Sequence, residues 1–273
     1  MGTSGTNEAE RQRWNDELWA TMWPRRERLT DRVTPFLLGA LALQAAEHVL
    51  DIGCGGGKAG LAAAAAVGTD GAVVGIDISE PLLALAERRA VESKAANVSF
   101  VHGDAQEDPI GGGEFDVAMS QFGVMFFDDP VAAFANVRAH LRSGGRIGFA
   151  CWQAVDRNPW FPGPVLAPFV TPPPPPAPGK SPTGPFSLCD PDRVDAILTE
   201  SGFADVSHRT DELVVEAPGD AIVDDAQLAF LGVPAAAMDD ARAAVDQHLS
   251  QFGDPVGACE FPLAFQIVTA RRA

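Results

Sequence analysis

The sequence predicts a doubly wound α/β fold, with helices packed on both faces of a largely parallel sheet. Three observations carry this. From His48 onward, short apolar runs of strand length alternate with helical stretches. A glycine-rich loop joins the first such strand to the first such helix. Caps and breakers (Ser79, Pro81, Asp129, Gly144-Gly145) fall between the elements where boundaries are needed.

Residues 1–13 read as polar and frayed. From Trp14, the apolar residues Trp14, Leu18 and Met22 recur every fourth position with Trp19 and Trp23 beside them, one face of an amphipathic helix. Val33, Phe36, Leu37 and Leu41 mark a second helix, capped by Thr30 or Thr34 with Pro35 in its first turn. The strand His48–Gly53 then runs into glycines. An Ala-rich helix over Lys58–Val67, a strand over Ala72–Ile78 and a helix over Pro81–Ala96 capped by Ser79 follow. Strands over Val98–His102, Phe115–Ser120 and Arg146–Trp152 complete the core, with a helix over Asp129–Leu141 before the last.

Between Pro159 and Pro185 lie twelve of the 22 prolines, including the run Pro172–Pro176. Missing N–H groups and a fixed φ predict a stiff excursion without helix or interior strand. It is read either as an inert loop or as a lid. Afterwards come a helix over Asp190–Ser201, a strand over Val206–Ala217, helices over Asp224–Leu231 and Ala235–Phe252, and a strand over Leu263–Ala270. The organisation expected is a helical cap over 1–45, an α/β core over 46–152, the excursion over 153–186, and a sheet-completing part with extra helices over 187–273.

The formal net charge of -17 opposes binding to phosphate backbones and anionic lipid, so neither nucleic acid nor membrane is expected as a partner. No apolar run reaches the roughly 20 residues of a transmembrane helix. Cys54, Cys151, Cys189 and Cys259 are scattered, and the histidines have no ligand spacing, so no structural metal and a reducing, cytoplasmic setting are expected.

The chemistry centres on Asp51-Ile-Gly-Cys-Gly-Gly-Gly-Lys58, between a strand and a helix whose N-terminal N–H groups face the loop. A phosphate-binding P-loop would need glycine at 52 and Ser or Thr at 59, where Ile52 and Ala59 stand. The dinucleotide spacing Gly-x-Gly-x-x-Gly is met by Gly55, Gly57 and Gly60, with Asp77 following.

Val49-Leu-Asp-Ile-Gly-Cys-Gly-Gly-Gly57 resembles the first motif of the class I S-adenosylmethionine-dependent methyltransferases, with Asp51, Gly53, Gly55 and Gly57 in register. Four later segments extend the resemblance over about residues 47–152: Gly75-Ile-Asp-Ile-Ser79, Val101-His-Gly-Asp-Ala105, Phe115–Phe122 and Leu141–Gly148. It implies a Rossmann-like, seven-stranded, mostly parallel sheet closed by an antiparallel C-terminal hairpin, for which Val206–Ala217 and Leu263–Ala270 serve.

The resemblance also implies S-adenosyl-L-methionine as cofactor. Asp51, Gly53, Cys54, Gly55 and Gly57 would line the methionine end. Asp77 and Ile78 would meet the ribose, with the Asp77 carboxylate accepting both hydroxyls. Gly103, Asp104 and Ala105 would meet the adenine. Gln121 and Phe122 would stand near the reactive methyl. Trp14 and Trp19 would fold over the cofactor or simply pack. The branch closest in pattern methylates small molecules, including quinone rings and natural products.

Cys54 has no neighbouring base and reads as small filler. His102 and His140 read as structural, and His208 has no partner in sequence. No catalytic residue is assigned. The methyl group would pass by in-line displacement to a small, apolar or aromatic acceptor. The rival readings are an NAD-dependent oxidoreductase using Gly55, Gly57 and Gly60, and a non-enzymatic S-adenosylmethionine-binding protein. Oligomeric state is left open.

Overall fold

A computed structural model describes residues 7–172 and 182–273. Helices α1 (Glu8–Trp14) and α2 (Glu17–Thr30) come first, then a short turn of tight helix and α3 (Thr34–Leu41). The expected fraying is corrected over residues 8–13 by α1, while residues 1–6 of that expectation lie outside the described residues. The stability of α1 comes from charge rather than an apolar stripe: Glu8 and Glu10 lie in its first turn and Arg11 and Arg13 in its last, as the helix dipole favours. Trp14 therefore ends α1 instead of opening the next helix. The Asp16 side chain accepts from the Leu18 N–H and starts α2.

The core follows the expected alternation: β1 (His48–Ile52), α4 (Lys58–Val67), β2 (Ala72–Asp77), α5 (Glu80–Ser93), β3 (Val98–His102), β4 (Phe115–Gln121), α6 (Pro130–His140) and β5 (Leu141–Trp152). Ser79 caps α5 through Leu82 N–H, and Asp129 caps α6 through Ala132 N–H. β5 starts earlier than the Gly144-Gly145 break suggests. Leu141 pairs with Phe115, the register then jumps, and Arg146 pairs with Val117. The intervening residues form a bulge that Gly144, at φ 74°, allows.

A one-turn helix, α7 (Gly163–Leu166), lies inside the proline-rich excursion, where helix was not expected. Pro164 sits in its first turn, where a missing N–H costs no hydrogen bond. The run Pro172–Pro176 falls largely outside the described residues. The chain continues through α8 (Pro191–Glu200), β6 (Phe203–Ala217), α9 (Asp225–Phe230), α10 (Met238–Leu249) and β7 (Cys259–Arg272).

The strand order is β3-β2-β1-β4-β5-β7-β6. β1 to β5 pair in parallel, and β7 runs antiparallel to both β5 and β6. The seven-stranded, hairpin-closed sheet is thus present. Val49, Leu50 and Ile52 of β1 are buried, as a central strand covered on both faces requires. α4 lays Ala59, Ala63, Ala64 and Val67 against the sheet, small side chains that let helix and strands approach closely. His208 lies within β6. It meets Asp195 on α8 at 2.7 Å and Gln266 on β7 at 3.3 Å, partners that sequence separation hid.

Candidate functional site

Strand order reverses between β1 and β4, and in open parallel sheets ligands bind at the carboxyl ends of the strands beside such a switch. The glycine loop lies there. Gly53, Gly55 and Gly57 have φ of 63°, 51° and 80°. At Gly53 a Cβ would come within 2.8 Å of the Gly123 Cα, so the loop can lie against the end of β4 only without a side chain. The Gly53 and Cys54 N–H groups donate to the Ile76 carbonyl, which joins the loop to β2. Cys54 is buried against Gly75, and burial holds its thiol well above the ordinary range, in keeping with a filler role.

Asp51 is the penultimate residue of β1, 1% exposed, and neither carboxylate oxygen makes a well-formed hydrogen bond, the Gly60 N–H being its nearest donor. Burial pushes its carboxyl up to about 8; the nearby Asp77 charge adds to this, and the Gly60 N–H only partly opposes it. Gly60 is small for a local reason: a Cβ there would stand 2.9 Å from Asp51 Oδ2. The third glycine of the dinucleotide spacing therefore makes room for the acid.

Asp77 accepts the Gly55 N–H at 2.7 Å and the Ser79 N–H at 2.9 Å. Burial raises its pKa and these two donors oppose the rise. Gly103 donates to the Asp77 carbonyl. Asp104 is buried, with Oδ1 accepting the Gln106 N–H and Oδ2 lacking a hydrogen bond. The Arg11 guanidinium stands 3.6 Å from that second oxygen. Ala105 gives its carbonyl to Asn136, and Ile78 gives its carbonyl to Asn15.

At the end of β4, Gln121 is held by the N-terminal segment. Its carbonyl oxygen accepts from the Thr34 hydroxyl and its amide donates to the Thr30 carbonyl. Phe122 adopts φ 65° and stacks on Trp152 at 4.2 Å. A bulky residue in this region is strained, and such strain gathers at functional sites. Trp160, Phe161 and Phe186 continue the aromatic row from Trp152 into the excursion. The far side of the excursion returns to the site: Gly184 N–H and the Ser187 hydroxyl both donate to the Met125 carbonyl.

The structure brings Asp51, the glycine loop, Asp77, Asp104, Gln121 and Phe122 to one end of the sheet. α1 and α2 lie across that end. Trp14 accepts from Ser79 through its carbonyl, and its ring packs on Trp23 and Phe126. Trp23, not Trp19, faces the loop; a Cβ on Gly55 would be 2.7 Å from the Trp23 ring. Trp19 packs behind Trp14, with ring centroids 4.6 Å apart, and against Phe230 on α9.

Sequence reasoning missed the clamp that seats α2. Buried Glu27 receives two hydrogen bonds from Arg89 and one from Trp23, and Arg89 also donates to the Gly56 carbonyl. Lys58 reaches Asp31 at 2.6 Å. Only the amphipathic pattern of α2 hinted at this, since Arg89 lies 62 residues away.

The acid–glycine loop lies at the switch of a 3-2-1-4-5-7-6 sheet, the place where open α/β folds bind ligands. Residues 49–145 match the family model of a methyltransferase domain. An aklanonic acid methyltransferase from Streptomyces sp. (strain C5) is 39% identical over 126 residues, covering 46% of this chain and 56% of that protein. A demethylmenaquinone methyltransferase from Shouchella clausii is 34% identical over 105 residues, covering 38% and 45%. The chain thus spans about half the length of the curated relatives it matches.

Among solved structures, the YcgJ protein of Bacillus subtilis superposes with TM-score 0.60 at 18% identity, covering 89% of this chain and 98% of that one. A methyltransferase from Aquifex aeolicus gives 0.52 at 16%, covering 97% and 98%. The cyclase SpnF shares the fold at TM-score 0.54 and 20% identity, covering 89% and 81%. Over residues 49–145 the chain is thus similar to methyltransferase domains, and its fold is that of S-adenosylmethionine-dependent methyltransferases.

Proposed function

We propose that the chain transfers the methyl group of S-adenosyl-L-methionine in line to a small apolar or aromatic acceptor. The observation that carries this is Asp51: a buried carboxyl without a well-formed hydrogen bond beside a loop of left-handed glycines. That donor set fits the cofactor. An ammonium group satisfies Asp51, the ribose hydroxyls suit Asp77, and the second oxygen of Asp104, which faces Arg11, suits an adenine amino group. Gly53, Cys54, Gly55, Gly57, Ile78, Gly103 and Ala105 supply backbone around these acids. A pyrophosphate offers Asp51 no cation to pair with and would repel its ionised form, which disfavours the oxidoreductase reading.

When bound, the cofactor supplies a methyl group already activated on sulfonium. What remains for the chain is alignment and exclusion of water. Gln121, fixed by Thr30 and Thr34, orients the end of β4. Phe122, Trp152 and Trp160 give an apolar wall, and the excursion beside Met125 closes it. The relatives named for aklanonic acid and demethylmenaquinone support a small-molecule acceptor.

Calorimetric titration with S-adenosylmethionine, S-adenosylhomocysteine and NAD tests the reading. Both adenosyl compounds are expected to bind, and Asp77→Ala and Asp104→Ala to weaken both. Binding of NAD alone would sink it. Adenosyl binding with no turnover across aromatic acceptors would favour a non-enzymatic binder, since fold does not fix function.

A further inference from the structure

One glycine of the loop is not explained by the turn it belongs to. Gly53, Gly55 and Gly57 adopt left-handed backbone, but Gly56 between them does not. Its small size has another cause. A Cβ there would stand 2.7 Å from Glu27 Oε1 and 2.9 Å from Trp23 Cδ1, with Arg89 Nη1 nearer still. Gly56 is the floor on which α2 is seated.

The seat is rigid. Arg89 on α5 and Glu27 on α2 are both largely buried. Arg89 Nη1 and Nη2 donate to the two Glu27 oxygens at 2.8 and 2.6 Å, and Nη1 also donates to the Gly56 carbonyl at 2.7 Å. Glu27 Oε1 accepts from Trp23 Nε1 at 2.7 Å, and the Trp23 ring rests on Gly55. No member can turn aside without breaking a buried, charge-assisted bond. Lys58, which directly follows the loop, reaches Glu27 at 3.5 Å and Asp31 at 2.6 Å. The loop is therefore gripped twice, at Gly56 by Arg89 and just past its end by Glu27 and Asp31.

Glycines leave a loop many conformations. A ligand that is held by backbone atoms needs one of them, and ordering the loop at the moment of binding costs affinity unless the protein has already selected it. Arg89 makes that selection from outside the motif, 33 residues after Gly56.

We infer that Arg89 is a positioning residue for the cofactor. It fixes the Gly56 peptide directly and, through Glu27, holds the Trp23 ring on Gly55, so the shape of the cofactor loop depends on the seating of α2. This rests on the methyltransferase reading. Arg89 acts through the loop and not on the cofactor itself.

Two variants separate position from stability. Arg89→Lys keeps a cation for Glu27 but loses the planar fork that also serves Gly56. Gly56→Ala keeps every charge and adds only a methyl group against Arg89, Glu27 and Trp23, on backbone outside the left-handed region. S-adenosylhomocysteine is titrated by calorimetry well below each melting temperature, so that all chains compared are folded. Each variant is expected to weaken binding about tenfold, because small misplacements of a preorganised site are strongly felt. Both act through one contact, so the double variant should bind about as weakly as either single one, not as the product of the two effects. Arg89→Lys affinity within about twofold of the wild type, beside a lowered melting temperature, would make the pair a structural tie and overturn the inference. Effects that multiply in the double variant would overturn it as well. If either variant fails to fold, Trp23→Phe decides: it keeps a ring, removes the N–H bond to Glu27, and should weaken binding about threefold. Unchanged affinity there overturns the inference. A wild type that binds no S-adenosylhomocysteine overturns the methyltransferase reading beneath it.

Discussion

Asp51 is a carboxyl whose two oxygens are out of water and without a well-formed hydrogen bond near the end of β1. Its pKa is raised from 3.8 to about 8, chiefly by burial and then by the Asp77 charge. The sign of the consequence follows from proton counting. Between pH 4 and 8 the unfolded chain has released this proton while the native state holds it, so stability falls as pH rises across that window. Above about 8 the full penalty is present. Asp51→Asn removes the group from the balance. Thermal melts at pH 5 and pH 8 should therefore show the variant gaining on the wild type at the higher pH, by several degrees. A difference that is flat with pH would mean that the carboxylate is solvated in solution. The same variant should bind S-adenosylhomocysteine at least tenfold more weakly, since an amide cannot offset an ammonium charge.

At the scale of elements, α1 and α2 are attached to the core by different means. α2 is held by a buried ionic hub: Glu27 is 5% exposed and takes three hydrogen bonds. Cutting a buried pair leaves a charge unsatisfied, so Glu27→Ala should cost about 3–5 kcal/mol. Lys58 is 40% exposed on its side of the same network, so Lys58→Ala should cost no more than about 1 kcal/mol. Urea unfolding measures both, and equal effects would refute the hub. α1 is tied more loosely. Its Arg11 stands against the oxygen of Asp104 that the proposed adenine contact needs. Arg11→Ala should therefore tighten S-adenosylhomocysteine a few-fold in calorimetry. A weakening would show that Arg11 instead helps to bind it.

Over the whole molecule, legibility in sequence followed the range of the interactions. α4 and β3 were readable to the residue, and β1 to within one, because apolar runs, small-residue faces and glycines act locally. The acids and glycines of the loop were readable because their spacing is set by one strand–turn–helix unit. Glu27, Arg89 and Arg11 were not, because their partners lie far along the chain and nothing in a polar residue's neighbours announces a distant ion pair. Charge is the one global quantity that sequence gives directly, and its consequence can be separated from the local one at Asp51. A net charge of -17 repels itself in the compact state. That repulsion acts across the surface and is screened once the Debye length falls to a few ångströms, whereas Asp51 is buried beyond the reach of ions. Raising sodium chloride from about 0.02 M to 0.5 M at pH 8 should therefore raise the melting temperature of the wild type and of Asp51→Asn alike. The gap between the two should stay constant. A melting temperature that falls with salt would mean that surface ion pairs, not repulsion, dominate. A gap that closes with salt would mean that Asp51 is reached by solvent and that its raised pKa is not a property of burial.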